Sequence, residues 1–314
     1  LSPLVAGNIY CSVIFACRCR ADWRRAHEWT QVADGWCSRE SIGYFPGLCR
    51  VHHAEVLRFR GEFEEAERDA LKALDQLTAA LPRRVYWAHQ ELGEIRLRRG
   101  DIEGAEAACG RVLESGPEPQ PLFALIRLAR GDAVGASQSL ERALANPHVD
   151  YSENRVNLLP VMVTSALAAG RTDRARAAVE ELGALARRLG TPAPLASAAY
   201  AEGELALAEG RVAEAVDAFG RARAVWTDIG APYDAARAQA LVGEALARSG
   251  DGIAAALELR AALATFERLG AGRGQQRVAA QLDALARPQD STAATAQAAA
   301  TFMFTDIVDS TRLL

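Results

Sequence analysis

The stretch Ala201-Glu-Gly203-Glu-Leu-Ala-Leu-Ala-Glu-Gly210-Arg-Val-Ala-Glu-Ala215-Val-Asp-Ala-Phe219-Gly-Arg-Ala222 carries the pattern that organises the chain. Gly210 reads as a turn. A small residue, Gly203, stands seven positions before it, Ala215 five after it and Ala222 twelve after it. The turn and its following alanine recur as Gly61/Ala66, Gly100/Ala105, Gly131/Ala136, Gly170/Ala175 and Gly250/Ala255, with a degenerate copy at Ala21/Ala26. Successive turns lie 40, 39, 31, 39, 40 and 40 residues apart. A near-fixed period in that range means stacked supersecondary units rather than one compact core.

The other offsets repeat with the turn. Ala54, Gly93, Ala124 and Gly243 match Gly203, and Ala33, Ala73, Ala143 and Ala262 match Ala222. Small residues let two antiparallel helices approach, and larger neighbours such as Trp23, Phe63, Ile102, Val212 and Phe219 fill the gaps beside them. Each turn glycine ends a helix in the left-handed region, and Asp101, Asp132 or Asp251 then starts the next. Pro82, Pro121, Pro147, Pro160, Pro192 and Pro232 are expected between hairpins. The small-residue grid resembles the tetratricopeptide repeat, whose usual length is about 34 residues. The expected fold is therefore all-α, a tetratricopeptide-like stack of about seven helical hairpins (an α-solenoid) over residues 1–286. Within it Gly270 to Gly274 breaks the helix, and Gln275 to Ala286 forms one more short helix.

Residues 287–300, rich in Pro, Ser, Thr, Ala and Gln, read as a flexible linker. Residues 301–314 change character: Thr301 to Val308 is β-branched and aromatic, a strand ending at Asp306, and Asp309-Ser310-Thr311 is a helix N-cap signal. A strand that delivers a carboxylate to a turn with unpaired amides suits metal-bound polyphosphate. Phe304-Thr305-Asp306-Ile307-Val308-Asp309-Ser310-Thr311 resembles the opening of class III adenylate/guanylate cyclase domains. By that resemblance the stretch is the truncated start of an α/β cyclase domain. Asp306 and the backbone carbonyl of Ile307 then hold Mg2+ or Mn2+, and the turn of Asp309, Ser310 and Thr311 holds the triphosphate of ATP or GTP. The domain is expected to work as a homodimer. Family members commonly carry Gly where this chain has Asp309. One carboxylate cannot complete a two-metal site, so these 314 residues alone are expected to be inactive.

Composition excludes several classes. With 50% hydrophobic and 24% charged residues and a formal charge of −4, the chain is a globular one without the basic footprint that direct nucleic-acid binding needs. Lys72 is its only lysine and follows no glycine loop, so there is no Walker-type phosphate loop. The apolar run Ile9 to Cys17 is too short to span a membrane, and the expected location is the cytoplasm. Five of six cysteines lie in the first fifty residues. On a helix Cys17 and Cys19 point about 200° apart, which scatters the thiols, so reduced buried cysteines are expected rather than a zinc site. Cys49 and His52 do share a face. Trp29 and Trp36 join Ala26 and Ala33 in one apolar seam. Arg58/Arg60, Arg96/Arg98/Arg99 and Arg127/Arg130 cluster at the ends of first helices, where the helix dipole already favours cations.

Ile9-Tyr-Cys-Ser-Val, Glu28-Trp29-Thr, Phe45-Pro-Gly-Leu-Cys49-Arg-Val-His and Glu55-Val-Leu-Arg are similar to the helical-repeat regions of large bacterial regulators. The expected function is a regulatory scaffold that binds a protein or peptide partner and is joined to a nucleotide cyclase. The alternative is a non-enzymatic repeat module of a LuxR-like regulator.

Overall fold

The computed structural model describes residues 3–39, 47–114, 118–146 and 152–287, and every regular element among them is helical. Seven antiparallel hairpins follow one another: α1 (Pro3–Cys19) with α2 (Trp23–Arg39), α3 (Gly47–Phe59) with α4 (Phe63–Ala80), α5 (Val85–Arg99) with α6 (Ile102–Leu113), α7 (Leu122–Ala129) with α8 (Ala133–Leu144), α9 (Ser152–Ala168) with α10 (Thr172–Leu189), α11 (Pro192–Ala208) with α12 (Val212–Asp228), and α13 (Pro232–Arg248) with α14 (Gly252–Arg268). A further helix, α15 (Gly272–Ala286), packs on α14. The expected strand and turn of 301–314, with Asp306, Ile307, Asp309, Ser310 and Thr311, lie outside the described residues.

Local chemistry accounts for the hairpins. Gly61, Gly100, Gly131, Gly170, Gly210 and Gly250 all have positive φ, between 71° and 92°. Ala21 takes the same role at φ 50°, although a methyl group in that region costs about 1–2 kcal/mol. Asp101, Asp132 and Asp251 cap α6, α8 and α14, accepting from the amides of Gly104, Gly135 and Ala254 at 2.8, 2.8 and 3.0 Å. The alanine after each turn is fully buried. At the crossings there is no room for more: a Cβ on Gly203 would lie 2.6 Å from the Phe219 ring, and one on Gly243 2.8 Å from Leu259. The long period follows from long helices, since α11 to α14 have 17 residues each with three-residue connectors. The 31-residue interval reflects the short α7, and there Ala143 is only partly buried.

Four expectations are corrected. Pro160 lies inside α9 rather than between hairpins; its missing N–H removes one helical hydrogen bond, which the packed neighbours tolerate. Gly270 ends α14, but Gly272 and Gly274 belong to α15, where they permit close contact: a Cβ would meet the Arg99 carbonyl oxygen at 2.5 Å and the Phe266 ring at 2.6 Å respectively. Trp29 is exposed, because Thr30 takes the seam position between Ala26 and Ala33 and bonds the Ala26 carbonyl at 2.7 Å. Trp29 and Trp36 lean on Tyr10 instead, with centroids 6.2 and 5.5 Å away. Cys11 and Cys49 are joined in a disulfide rather than reduced; α1 packs against α3 and brings their Cα atoms within 5.3 Å.

The hairpins curve until the chain meets itself. Thr191, just before α11, donates to the Arg20 carbonyl at the first turn at 2.8 Å, across 171 residues. Gly61, at the second turn, lies against Pro232 and Leu269, and a Cβ on Gly230 would be 3.2 Å from the Arg60 guanidinium. A Cβ on Gly100, at the third turn, would be 3.1 Å from the amide nitrogen of Arg273. The offset is nearly constant: one superhelical turn takes five hairpins, so the sixth stacks on the first, the seventh on the second and α15 on the third. Trp23–Phe59–Trp226 and Phe63–Tyr233–Phe266 aromatic contacts, 5.0 to 6.1 Å between centroids, seal this seam.

Candidate functional site: the charged inner face

The face carried by the first helices of the hairpins is charged. Its side chains link first helices in two runs, α1 to α5 and α9 to α15. Arg18 of α1 donates to Glu55 of α3 at 2.7 Å, and His52 Nδ1 lies 3.1 Å from the same carboxylate. Arg58 of α3 grips Glu91 of α5 through Nε at 2.5 Å and Nη2 at 3.3 Å. Within α5, Arg98 pairs with Glu94 and lies over the Tyr233 ring of α13, 5.5 Å from its centroid. On the other side Thr164 of α9 donates to Glu204 of α11 at 3.0 Å. Arg237 of α13 donates to the Tyr200 hydroxyl of α11 at 3.2 Å, and Gln281 of α15 donates to Glu244 of α13 at 3.0 Å.

The environment moves these groups apart. Burial opposes ionisation of Glu55, but Arg18, His52 and Arg58 together hold its carboxyl down at about 2. Glu91 is pushed up to about 7 by burial, against Arg58 and with Glu55 beside it. Glu204 is also pushed up to about 7 by burial; Arg237, Thr164 and Arg277 draw it down and Glu244 pushes it up. Arg273 is lowered by burial and by Arg237 and Arg277, with Tyr233 opposing. These charges read as an irregular alternation in the sequence, because most of them meet a partner 33 to 40 residues away on the neighbouring hairpin.

The arginines clustered at helix ends are mostly engaged in ion pairs between elements. Arg96 and Arg99 share Glu67 of α4, and Arg130 reaches Glu103 and Glu106 of α6. Arg127 pairs with Asp132 across its own turn. His52 faces Glu55 rather than sharing an ion with Cys49, whose sulfur is bonded to Cys11. Among the described residues no group of three or more His, Cys, Asp or Glu is placed to share a metal ion, and no helix is long and apolar enough to cross a membrane.

No protein-family model matches the chain, and no curated protein matches its sequence. Solved structures do match its shape. A Rap protein complexed with competence and sporulation factor aligns over 90% of this chain and 88% of its own, with a TM-score of 0.61 and 13% identity. A tetratricopeptide repeat protein from Parabacteroides merdae ATCC 43184 aligns over 90% and 99%, with a TM-score of 0.48 and 15% identity. At such identities the likeness is one of fold: the chain is built as a helical-repeat scaffold of stacked antiparallel hairpins.

Proposed function

We propose that the chain is the interaction module of a multidomain bacterial signalling protein, holding an extended protein or peptide segment on its inner face. The observation that carries this is the two charged runs of first helices, which begin at Arg18 and Glu55 and end at Gln281 and Glu244. Buried charge is costly unless it is paired or recognises something. The similar Rap protein is complexed with a competence and sporulation factor, which favours a binding role for a scaffold of this form. The test is retention of displayed random peptides by the purified chain, followed by hydrogen exchange with a retained peptide. The amides of α3, α5, α11, α13 and α15 gain protection; protection confined to α4, α12 and α14 contradicts the inner-face site.

The same reading takes residues 301–314 as the start of a class III nucleotide cyclase domain, resting on the wording Phe304 to Thr311. Asp306 and the Ile307 carbonyl would hold magnesium or manganese, and Asp309, Ser310 and Thr311 the triphosphate of ATP or GTP; the bound metal lowers the barrier by neutralising developing charge. A homodimer of such domains forms the complete site. Cyclic-nucleotide formation by a protein carrying this segment within a complete cyclase domain falls at least about 100-fold in Asp306→Ala. Undiminished turnover refutes the assignment.

A further inference from the structure

Three contacts join α1 to α3 in step. Cys11, Phe15 and Arg18, at i, i+4 and i+7, share one face of α1. In the same order along α3 they meet Cys49, His52 and Glu55: the disulfide with Cα atoms 5.3 Å apart, then ring centroids at 5.7 Å, then the ion pair at 2.7 Å. The covalent bond thus fixes the register in which the other two contacts form.

The apolar core at this junction is small. Ile14, Ala33 and Cys49 are its buried members, with Tyr10 and Cys11 packed against them, while Val5, Ile9, Trp29 and Val32 of the same hairpin are exposed. In a stacked array each unit is held by its neighbours, and a unit with few buried apolar groups opens first. The first hairpin leans on the second and, through the Thr191 bond to the Arg20 carbonyl, on the sixth. A bond that closes 38 residues of chain is a large part of what holds such a unit.

We propose that the Cys11–Cys49 disulfide is a redox latch on the first hairpin: closed, it docks α1 and α2 on the second hairpin, and opened by a dithiol it lets them detach while the rest of the solenoid stays folded. The sulfurs differ in access, since Cys49 is 1% exposed and Cys11 is only partly buried. A thiolate of the dithiol attacks Cys11 Sγ, forms a mixed disulfide there and releases Cys49 as a thiolate, which takes up a proton. The second thiol then displaces Cys11, so two electrons pass to the cysteine pair and the dithiol becomes a disulfide. A low-molecular-weight disulfide such as oxidised glutathione reverses the exchange. Cys17 does not compete: six residues on, it lies on another side of α1, and burial and Asp22 push its thiol up, with Glu28 adding and Arg25 opposing.

The test follows hydrogen exchange of the whole chain after incubation with oxidised glutathione, then with dithiothreitol, then with oxidised glutathione again. Peptide mass spectrometry reads the state of Cys11 and Cys49 at each stage. The latch predicts that reduction speeds exchange in α1 and α2 on the order of 100-fold, leaves α9 to α14 unchanged and is reversed by reoxidation. Cys49→Ser is expected to show the fast exchange under both conditions, and Cys17→Ser to respond as the wild type does. Cys11 and Cys49 both open to alkylation after the oxidising step, or a bond that resists dithiothreitol, overturns the proposal. So does reduction that leaves α1 and α2 protected, or that also strips protection from α9 to α14, since the bond is then a general structural brace.

Discussion

At Gly100 and Gly210 the same backbone conformation serves two different purposes. Both have positive φ, 92° and 79°, but a Cβ at Gly210 meets nothing within 4 Å, whereas at Gly100 it meets the backbone of α15 at 3.1 Å. Gly210→Ala therefore costs about 1–2 kcal/mol from backbone strain alone. Gly100→Ala costs at least about 1 kcal/mol more, because backbone cannot rotate out of the way. Equal losses in urea unfolding contradict the stacking contact. The turn itself was legible at both positions; the contact was not, since it joins residues about 170 positions apart. Glu204 gives a second prediction at this scale. Its carboxyl is raised from 4.5 to about 7, so between those values the folded chain holds a proton that the unfolded chain has lost. Stability from this group is full below about pH 4.5, declines as pH rises and is lost above about 7, by up to ~3 kcal/mol. Thr164, Arg237, Arg277 and Glu244 face it and set that range. Glu204→Gln is expected to gain stability relative to the wild type on going from pH 5 to pH 8; a pH-independent difference refutes the shift.

Within a hairpin, the helix crossing is the element that sequence spacing reveals best. Ala215 is fully buried, and the hairpin it belongs to closes on Gly203 and Phe219. Ala215→Leu overfills that crossing and costs about 1–3 kcal/mol, while Asp251→Ala, which removes the cap of α14, costs about 1 kcal/mol. Thermal melting distinguishes both from a surface change such as Arg188→Gln, which is near neutral. Elements failed to be legible where a strong local signal was outweighed by packing. Pro160 is a helix breaker by chemistry, yet α9 continues through it. Gly272 and Gly274 look like a break, yet α15 needs them small to approach Arg99 and Phe266. Trp29 was assigned to the seam by spacing of seven, but Thr30 occupies that position with a hydroxyl bonded back to the helix.

For the whole molecule, the decisive feature is that five hairpins complete a superhelical turn. This creates the setting for the buried carboxyl groups of Glu55 and Glu91 and for Glu204. Nothing in a 40-residue period specifies it, because small rotations between neighbouring hairpins accumulate before distant ones meet. The inner face inherits that illegibility: its arginines and glutamates were visible as residues, but their pairing across hairpins was not.

The central claim is thus the stacking of the sixth and seventh hairpins on the first and second, and the chain's single lysine makes it directly measurable. Lysines are introduced as Arg60→Lys, beside Gly230, and Asp228→Lys, at the exposed end of α12. The doubly substituted chain is treated with a short amine-reactive cross-linker at low protein concentration and analysed by peptide mass spectrometry. The stacked superhelix predicts an intramolecular link between positions 60 and 228. Single modification of both lysines with no such link, in a chain that keeps its helical circular dichroism, contradicts it.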